Sequence, residues 1–247
     1  MHQVTEKSLS SAETLKRAAA RMALERVRSG MRLGLGSGST VAHFLAFLGE
    51  RLQDGELRDV VGVPTSVETS ERAHAAGIPL ASLHELAPLD LTVDGADEVD
   101  PTLDLIKGLG GALLREKMVA SASRRFLVIA DARKRVQRLG TVAPLPVEVV
   151  TFAWQVQLPF LESLGAHPLL RSRPDGAPYT TDNGNYVIDC RFPDGIADPH
   201  GLEERLLRRP GLVETGLFLG LASEALIAGE RGVELLEAKR DTAGSRP

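Results

Sequence analysis

The sequence predicts an α/β protein built on a mostly parallel, doubly wound sheet with helices on both faces, and a smaller α+β unit inserted in it. Three observations predict this. Short apolar runs of strand length, among them MRLGLG, LDLTVDG and FLVIAD, alternate with amphipathic stretches of helical length, the pattern of successive βα units. Clusters of glycine and acid directly follow those runs, at the carboxyl ends of strands where the functional loops of such sheets lie. Beyond Leu139 the rhythm changes to strand, helix, two strands, helix and strand, the order of a ferredoxin-like unit. The large unit is therefore read as Rossmann-like over residues 1–139 and 217–247, with the ferredoxin-like unit over 140–216. A chain of 247 residues is long enough for both cores.

Taken in order, an amphipathic helix from Ser11 to Arg28 precedes the strand MRLGLG, and STVAHFLAFLGERL supplies the helix after it. DVVGVPT reads as a strand, SVETSERAHAAG as an amphipathic helix, Ile78 to Ala81 as a short strand, and LDLTVDG as a strand ending in an acidic loop. ALLREKMVASAS is a helix leading into FLVIAD, a central strand. In the second unit PLPVEVV is a strand and Trp154 to Leu164 a helix. TTDNGNYVIDCRF then holds Asn-Gly between two β-prone runs, a tight-hairpin signal. The helix GLEERLLRR and the strand LVETGLFL follow, and a last short element over Gly232 to Glu237 returns to the large unit. The tail AKRDTAGSRP is expected to fray.

With 43% hydrophobic residues, 25% charged residues and a net charge of -4, the composition is that of an ordinary globular protein. An acidic balance argues against nucleic acid as a partner, because phosphate backbones are bound by basic faces. A small anion stays open, since a local site needs only a few cations. The polar start MHQVTEKSLSSAETLKR lacks the apolar stretch of a signal peptide, and no apolar run approaches the ~18 residues of a membrane span. A cytoplasmic location without a membrane partner is expected. Cys190 is the only cysteine, which excludes an internal disulfide. It reads as buried filler of the strand YVIDCRF, since a reactive thiol needs an accessible, electropositive setting.

Four clusters carry candidate chemistry. In Gly34-Leu35-Gly36-Ser37-Gly38-Ser39-Thr40, glycines let the backbone curl and expose N–H groups at a helix start, and Ser37, Ser39 and Thr40 add hydroxyl donors. No Gly-Lys-Ser/Thr follows, as a nucleotide P-loop requires, and Ser39 stands where the dinucleotide fingerprint has its last glycine. A monophosphate fits better, beside the plainer reading of a tight turn capped by Ser39. In Val93-Asp94-Gly95-Ala96-Asp97-Glu98, Asp94 and Asp97 crowd the end of a buried strand, whereas Glu98, Asp100 and Asp104 read as acids that keep a loop soluble. Close carboxylates also suit Mg²⁺, but the loop lacks the ligand series of a calcium site and no histidine accompanies it.

Lys107-Gly108-Leu109-Gly110-Gly111-Ala112 is a second glycine turn at a helix start, with a lysine at its mouth. The chain favours arginine, and Lys107 shares its type only with Lys7, Lys16, Lys117, Lys134 and Lys239, which points to a need for a compact charge. Beside Asp94 or Asp97 it would keep a carboxylate ionised and, with the turn's N–H groups, stabilise a developing oxyanion. A plain salt bridge is the other reading. Glu116 lies one helical turn past the loop, where partial burial would raise its pKa and suit it to general-base work near neutral pH. Arg115-Glu116-Lys117 alone reads as a solvated helix face. Ile129-Ala130-Asp131-Ala132-Arg133-Lys134 ends a central strand in a charged turn, with Arg133 and Lys134 as phosphate cations or ordinary surface charge. His2, His43, His74, His84, His167 and His200 have no metal spacing, and no Gly-x-Ser-x-Gly elbow occurs. Neither a metal nor a cofactor is expected.

Together, Gly36-Ser37-Gly38-Ser39-Thr40, Asp94-Gly95-Ala96-Asp97-Glu98, Lys107-Gly108-Leu109-Gly110 and Arg115-Glu116-Lys117 strongly resemble the type A ribose-5-phosphate isomerases. The resemblance continues through Ile129-Ala130-Asp131 with Lys134, Leu145-Pro146-Val147-Glu148-Val149 and Thr181-Asp182-Asn183-Gly184-Asn185, leaving only the termini unmatched. It implies a metal-independent aldose–ketose isomerase of the non-oxidative pentose phosphate pathway, interconverting D-ribose 5-phosphate and D-ribulose 5-phosphate through an enediolate. By the resemblance, Glu116 is the proton acceptor, and Ser37, Gly38, Ser39 and Thr40 hold substrate. Asp94, Gly95, Ala96, Asp97, Lys107, Gly108, Leu109 and Gly110 surround the sugar, with Asp94, Asp97 and Lys107 catalytic beside Glu116. Lys134 adds a contact, and Lys16 is a phosphate ligand by family position, with a solvated helix face as its other reading. A homodimer or homotetramer is implied. Leu109, where glycine is frequent, and Gly111, where alanine is frequent, depart from the pattern and bear on that loop's backbone contacts alone.

The main alternative is a noncatalytic sugar-phosphate sensor. Such a regulator is expected to carry a DNA-binding module, and fewer than ~30 residues precede the first strand, enough for one helix and no helix-turn-helix. An amino-sugar-phosphate deaminase should place a histidine near the sugar, yet none lies in a glycine or acid loop. A CoA transferase would use a glutamate as nucleophile rather than as proton carrier.

Overall fold

The structure, a computed structural model, describes residues 2–238, with side chains from residue 12 onward. The chain runs through α1 (His2–Leu24), β1 (Arg32–Leu35), α2 (Ser39–Gln53), β2 (Val61–Pro64), α3 (Val67–Ala75) and the one-turn α4 (Leu83–Leu86). β3 (Leu91–Asp94), β4 (Glu98–Val99), β5 (Leu105–Ile106), α5 (Leu113–Ser121) and β6 (Phe126–Asp131) follow. Next come β7 (Leu145–Val149), α6 (Leu158–Ser163), β8 (His167–Leu170), β9 (Tyr186–Arg191), α7 (Pro199–Leu207) and β10 (Leu212–Thr215). The chain then passes through β11 (Leu217–Phe218), β12 (Glu224–Gly229) and β13 (Gly232–Glu237). The tail from residue 239, where fraying was expected, lies outside the described residues. No described helix is long and apolar enough to cross a membrane.

The large sheet has the order β13-β12-β6-β3-β1-β2, parallel throughout except for the antiparallel edge pair of β12 and β13. All six residues of FLVIAD are buried because the sheet is covered on both faces. Leu127 and Ile129 pack with Ala19, Ala20 and Ala23 of α1 and Phe44 and Leu48 of α2. Phe126, Val128 and Ala130 pack on the other side with Ala120 of α5, Leu105 and Phe218. β2 follows β1 on one side and β3 lies on the other, so chain direction across the sheet reverses between β1 and β3, and a crevice opens beyond their carboxyl ends.

A second sheet, β10-β7-β9-β8, is antiparallel at every pairing. With α6 and α7 packed on it through Leu161, Leu202 and Leu206, it realises the expected β-α-β-β-α-β order. A third sheet, β11-β5-β4, was not expected. Its strands are two residues long, too short to leave a periodic signal.

Several element boundaries differ from the sequence reading. α1 ends at Leu24, short of Arg28: tighter turns close from Arg26 to Ala23 and from Val27 to Leu24, and Gly30 redirects the chain at φ 79°. The strand expected over Ile78 to Ala81 is reduced to one bridge between Leu80 and Gly62, since Pro79 has no N–H to give a ladder. The helix from Trp154 to Leu164 divides into a 3₁₀ turn over Trp154–Gln157 and α6. The Asn183-Gly184 turn exists, with Gly184 at φ 79° and the Thr181 N–H on Asn185 O at 2.9 Å. Its leading flank, however, is only the bridge between Thr180 and Tyr186, and β9 pairs with β7 and β8 instead. LVETGLFL is cut at Gly216, which donates to Pro146 O and accepts from the Lys107 N–H. A β-carbon at Gly216 would lie 2.3 Å from Lys107 O, so glycine is required where the chain passes from the second sheet to the third.

Glu98 is not a solubilising surface acid. It is completely buried, and its carboxylate accepts the N–H groups of Gly140 at 2.6 Å, Val142 at 2.6 Å and Ala143 at 2.7 Å. It therefore anchors the segment that leads into the second sheet. Glu98→Gln leaves one oxygen to accept those donors and is expected to lower unfolding free energy by about 2–4 kcal/mol, read by chemical denaturation. A change under ~0.5 kcal/mol, the range of ordinary surface substitutions, would contradict the anchoring role.

Candidate active site

The crevice is built from the loops after β1, β3 and β6 and from the turn before α5. At the end of β1, Gly36 passes against Asp94, whose carboxyl carbon would lie 2.2 Å from a β-carbon at that position. Asp94 Oδ1 accepts the N–H groups of Ser37 at 3.0 Å and of Gly95 at 2.7 Å. Gly38 then turns at φ 92° as the residue before α2. The amides of Ser39 and Thr40 donate to no protein acceptor among the described residues, and they stand at the positive end of a helix. The Ser37 hydroxyl is held by Thr65 Oγ1 at 2.8 Å, Ser66 Oγ at 3.1 Å and Thr69 Oγ1 at 3.2 Å. Thr69 Oγ1 also donates to Gly36 O at 2.9 Å. Sequence reasoning missed these three partners, of which Thr65 and Ser66 lie between β2 and α3 and Thr69 in the first turn of α3.

Behind the loops lies a buried triad. The Lys107 ammonium sits 3.0 Å from Asp94 Oδ2 and 3.3 Å from Glu116 Oε1. It donates to Gly95 O at 2.8 Å and lies 5.5 Å from the centre of the Phe218 ring. Exposure is 1% for Asp94, 3% for Lys107 and 5% for Glu116. Burial pushes the Asp94 carboxyl up, against Lys107 and two N–H donors that pull it down. Burial also pulls the Lys107 ammonium down, but the charges of Asp94 and Glu116 outweigh it, and the net shift is upward. Glu116 is pushed up to about 8, first by burial and then by the Asp94 charge, while Lys107 pulls the other way. One cation thus faces two buried carboxylates. Both carboxyls are raised, Glu116 to about 8, and Asp94 has two backbone N–H donors in addition to the ammonium. Glu116 Oε2 has no hydrogen-bond partner among the described residues.

The turn before α5 takes φ 101° at Gly108 and φ 84° at Gly111. The Leu109 N–H donates to Asp97 Oδ2 at 3.0 Å, while its side chain is exposed. A β-carbon at Gly111 would lie 2.2 Å from the Tyr179 hydroxyl, a physical reason for glycine where the resembling family often has alanine. Two residues of the second sheet's long loop, Arg171 and Tyr179, reach this turn, and no local signal in the sequence marked them.

Three further cations come from α1 and from the turn after β6. Lys16 comes from α1 and is paired with Glu13 at 2.6 Å. Arg133 and Lys134 follow β6. Arg133 grips Asp131 through Nε at 2.7 Å and Nη2 at 2.9 Å, and this hydrogen bonding holds the Asp131 carboxyl below the ordinary range.

A cavity of about 300 Å³ joins these groups. Ser37, Gly38, Ser39, Thr40, Gly95, Ala96, Asp97, Lys107, Gly108, Gly110, Glu116, Lys16 and Lys134 all line it, together with Arg133. Of the expected site residues, Asp94 and Leu109 do not: Asp94 lies beneath the floor, and Leu109 enters only through its backbone. Among the described residues no group of three or more His, Cys, Asp or Glu side chains is placed to hold a metal ion. The lining combines N–H groups and cations, which suit a small anion, with a base of near-neutral proton affinity beside an ammonium.

A family model described as ribose 5-phosphate isomerase A (phosphoriboisomerase A) matches residues 61–232. A ribose-5-phosphate isomerase A of Roseiflexus castenholzii is 53% identical over 222 residues, covering 90% of this chain and 94% of the relative. The probable ribose-5-phosphate isomerase 3, chloroplastic, of Arabidopsis thaliana is 48% identical over 231 residues, covering 92% and 84%. A solved D-ribose-5-phosphate isomerase in complex with phospho-erythronic acid superimposes with a TM-score of 0.89 at 42% identity, covering 92% of this chain and 99% of that one.

Lys107→Met removes the cation between two buried carboxylates and is expected to cost about 3–5 kcal/mol of stability at neutral pH. The folded pKa values of Asp94 and Glu116 are raised, and without the ammonium they rise further. Stability tied to a raised acid is present below its unfolded pKa and lost as pH climbs through the folded one. The deficit of the variant should therefore be small near the unfolded Glu116 value of 4.5 and should grow toward about 8. Denaturation curves giving the same deficit at both ends of that window would contradict the shared-cation account.

Proposed function

The chain belongs to the ribose 5-phosphate isomerase A family, and from that premise we propose how its cavity performs the reaction. It is an aldose–ketose isomerase that acts on ribose 5-phosphate. Glu116 removes the C2 proton of the open-chain aldose, and the released electron pair forms the C1–C2 double bond of an enediolate. Glu116 then returns the proton to C1, O2 becomes the ketone oxygen of ribulose 5-phosphate, and O1 gains a proton. Lys107 and the N–H of Gly110 in the glycine turn, unused among the described residues, stabilise the negative oxygen. Asp97, the member of the acid pair that lines the cavity, opens the furanose ring and carries protons between oxygens. Asp94 works from beneath, holding the Lys107 ammonium and the Ser37 and Gly95 amides.

The phosphate lies against Ser37, Gly38, Ser39 and Thr40 with Lys16 and Lys134 beside it, and its binding energy orients the reacting carbons. Gly95, Ala96, Gly108 and Gly110 shape the wall around the sugar, and Leu109, which does not line the cavity, holds Asp97 through its backbone N–H. No metal enters the scheme. We place the enzyme in the cytoplasm and in the non-oxidative pentose phosphate pathway, as a homodimer or homotetramer, with residues 140–216 flanking the catalytic unit of 1–139 and 217–247. The observation that carries the reading is Glu116: buried, lining the cavity, with a free Oε2 and a pKa raised to about 8.

Glu116→Gln keeps the shape and removes the base. It is expected to lower kcat by about 10³-fold with thermal stability and KM little changed, and near-normal turnover would sink the assignment. In the wild type the ionised form is the active one, so kcat/KM should fall about tenfold per pH unit below the Glu116 value of about 8. A flat profile down to the ordinary carboxylate range of about 4.5 would contradict it.

A further inference from the structure

We infer that Arg171, backed by Asp189 and assisted by Tyr179, is a positioning residue that aims the Gly110 N–H at the reacting oxygen of the substrate. The inference rests on the isomerase reading above and extends it to a residue of the second sheet. Arg171 Nη1 donates to Gly108 O at 3.1 Å and to Leu109 O at 2.9 Å, and the Tyr179 hydroxyl donates to Gly110 O at 3.2 Å. Three consecutive carbonyls of the glycine turn are thus drawn toward the second sheet's loop. In a planar trans peptide the N–H opposes its carbonyl. The peptide from Gly108 to Leu109 is pinned at both ends, its carbonyl on Arg171 and its N–H on Asp97 at 3.0 Å. The next peptide has its carbonyl on Arg171, so its N–H, that of Gly110, faces the opposite way. Gly110 lines the cavity, and its amide donates to no protein acceptor among the described residues. An unused donor in the lining that also holds Lys107 and Glu116 is placed to meet a developing oxyanion.

The turn does not hold this orientation alone. Gly108 and Gly111 flank it at φ 101° and φ 84°, and glycines on both sides allow the central peptide to rotate. Rotation would swing the Leu109 carbonyl into the cavity, where it would repel a negative oxygen. Arg171 opposes this because it is itself fixed. Its Nε meets Asp189 Oδ2 at 2.9 Å, its Nη2 meets Asp189 Oδ1, and its guanidinium lies 5.7 Å from the centre of the Tyr179 ring. The rigid fork allows one side chain to serve the carboxylate and both carbonyls, which a lysine ammonium does with fewer donors and no fixed plane.

The test is steady-state kinetics of the full chain carrying Arg171→Met, Arg171→Lys or Tyr179→Phe, with calorimetric binding of two probes. One probe is inorganic phosphate. The other is a phosphorylated four-carbon aldonate, whose carboxylate places two oxygens where the enediolate has them. For Arg171→Met, kcat is expected to fall roughly 10–100-fold while KM moves less than about threefold. Affinity for the aldonate should fall with kcat, affinity for phosphate should hold, and Arg171→Lys should recover part of the loss. Tyr179→Phe should show the same split at roughly three- to tenfold. The inference is overturned if Arg171→Met turns over within about twofold of wild type, or if phosphate and aldonate affinities drop in step, as general loosening would produce. Should Arg171→Met not fold, an unchanged kcat in Tyr179→Phe overturns it instead. A fully active Glu116→Gln would sink the isomerase reading itself, whereas an inactive Glu116→Gln with an unimpaired Arg171→Met would remove only the role of Arg171.

Discussion

The ammonium of Lys107, enclosed between the carboxylates of Asp94 and Glu116 at 3.0 and 3.3 Å, is the interaction on which the rest of the site depends. Two buried acids and one buried cation leave a surplus of negative charge, and low polarity makes that surplus costly unless one acid takes a proton. The two acids differ in their backbone donors. Asp94 receives the amides of Ser37 and Gly95 and lies beside Lys107, while among the described residues Glu116 has the ammonium beside Oε1 and no partner for Oε2. The same imbalance that opposes burial therefore gives Glu116 a proton affinity suited to removing and returning a proton near neutral pH.

Fold and chemistry meet through short connections. The order of strands along the chain reverses between the parallel neighbours β1 and β3 and leaves a crevice there, into which the serine loop and the acid loop both open. Lys107 arrives from the third sheet, with its backbone N–H on Gly216 O while the Gly216 N–H holds Pro146 O. Glu98, next to the cavity-lining Asp97, ties the acid loop to residues 140, 142 and 143. The second sheet is thus joined within a few residues to the acid loop, the lysine and the glycine turn, and it supports the site from outside the large sheet. Rigid support of this kind is what keeps reacting groups within the narrow tolerance that proton transfer requires.

The parts of this arrangement that were legible in the sequence are those with a local signature. FLVIAD announced a strand buried on both faces, the glycine and acid runs marked the ends of strands, and Asn-Gly marked a turn. Glu116 was credible only in the company of Lys107, Asp94 and the serine loop. Glu98 was misread because its three donors lie more than forty residues away in sequence, where no local pattern records them. Thr65, Ser66, Thr69, Arg171 and Tyr179 escaped notice for the same reason, as did the third sheet with its two-residue strands. Gly216 illustrates the limit well: LVETGLFL reads as one strand, and the approach of Lys107 O and Pro146 Cδ, both distant in sequence, explains the glycine.

The central claim is that Glu116 is a buried base whose proton affinity is set by Asp94 and Lys107. It is tested most directly by a carbon-13 NMR titration of the Glu116 carboxyl in the unliganded wild type, assigned by its disappearance in Glu116→Gln. The account predicts a midpoint close to 8. A midpoint at the ordinary glutamate value of 4.5 would contradict it, because Glu116 would then be a solvated helix acid and not the proton carrier of the cavity.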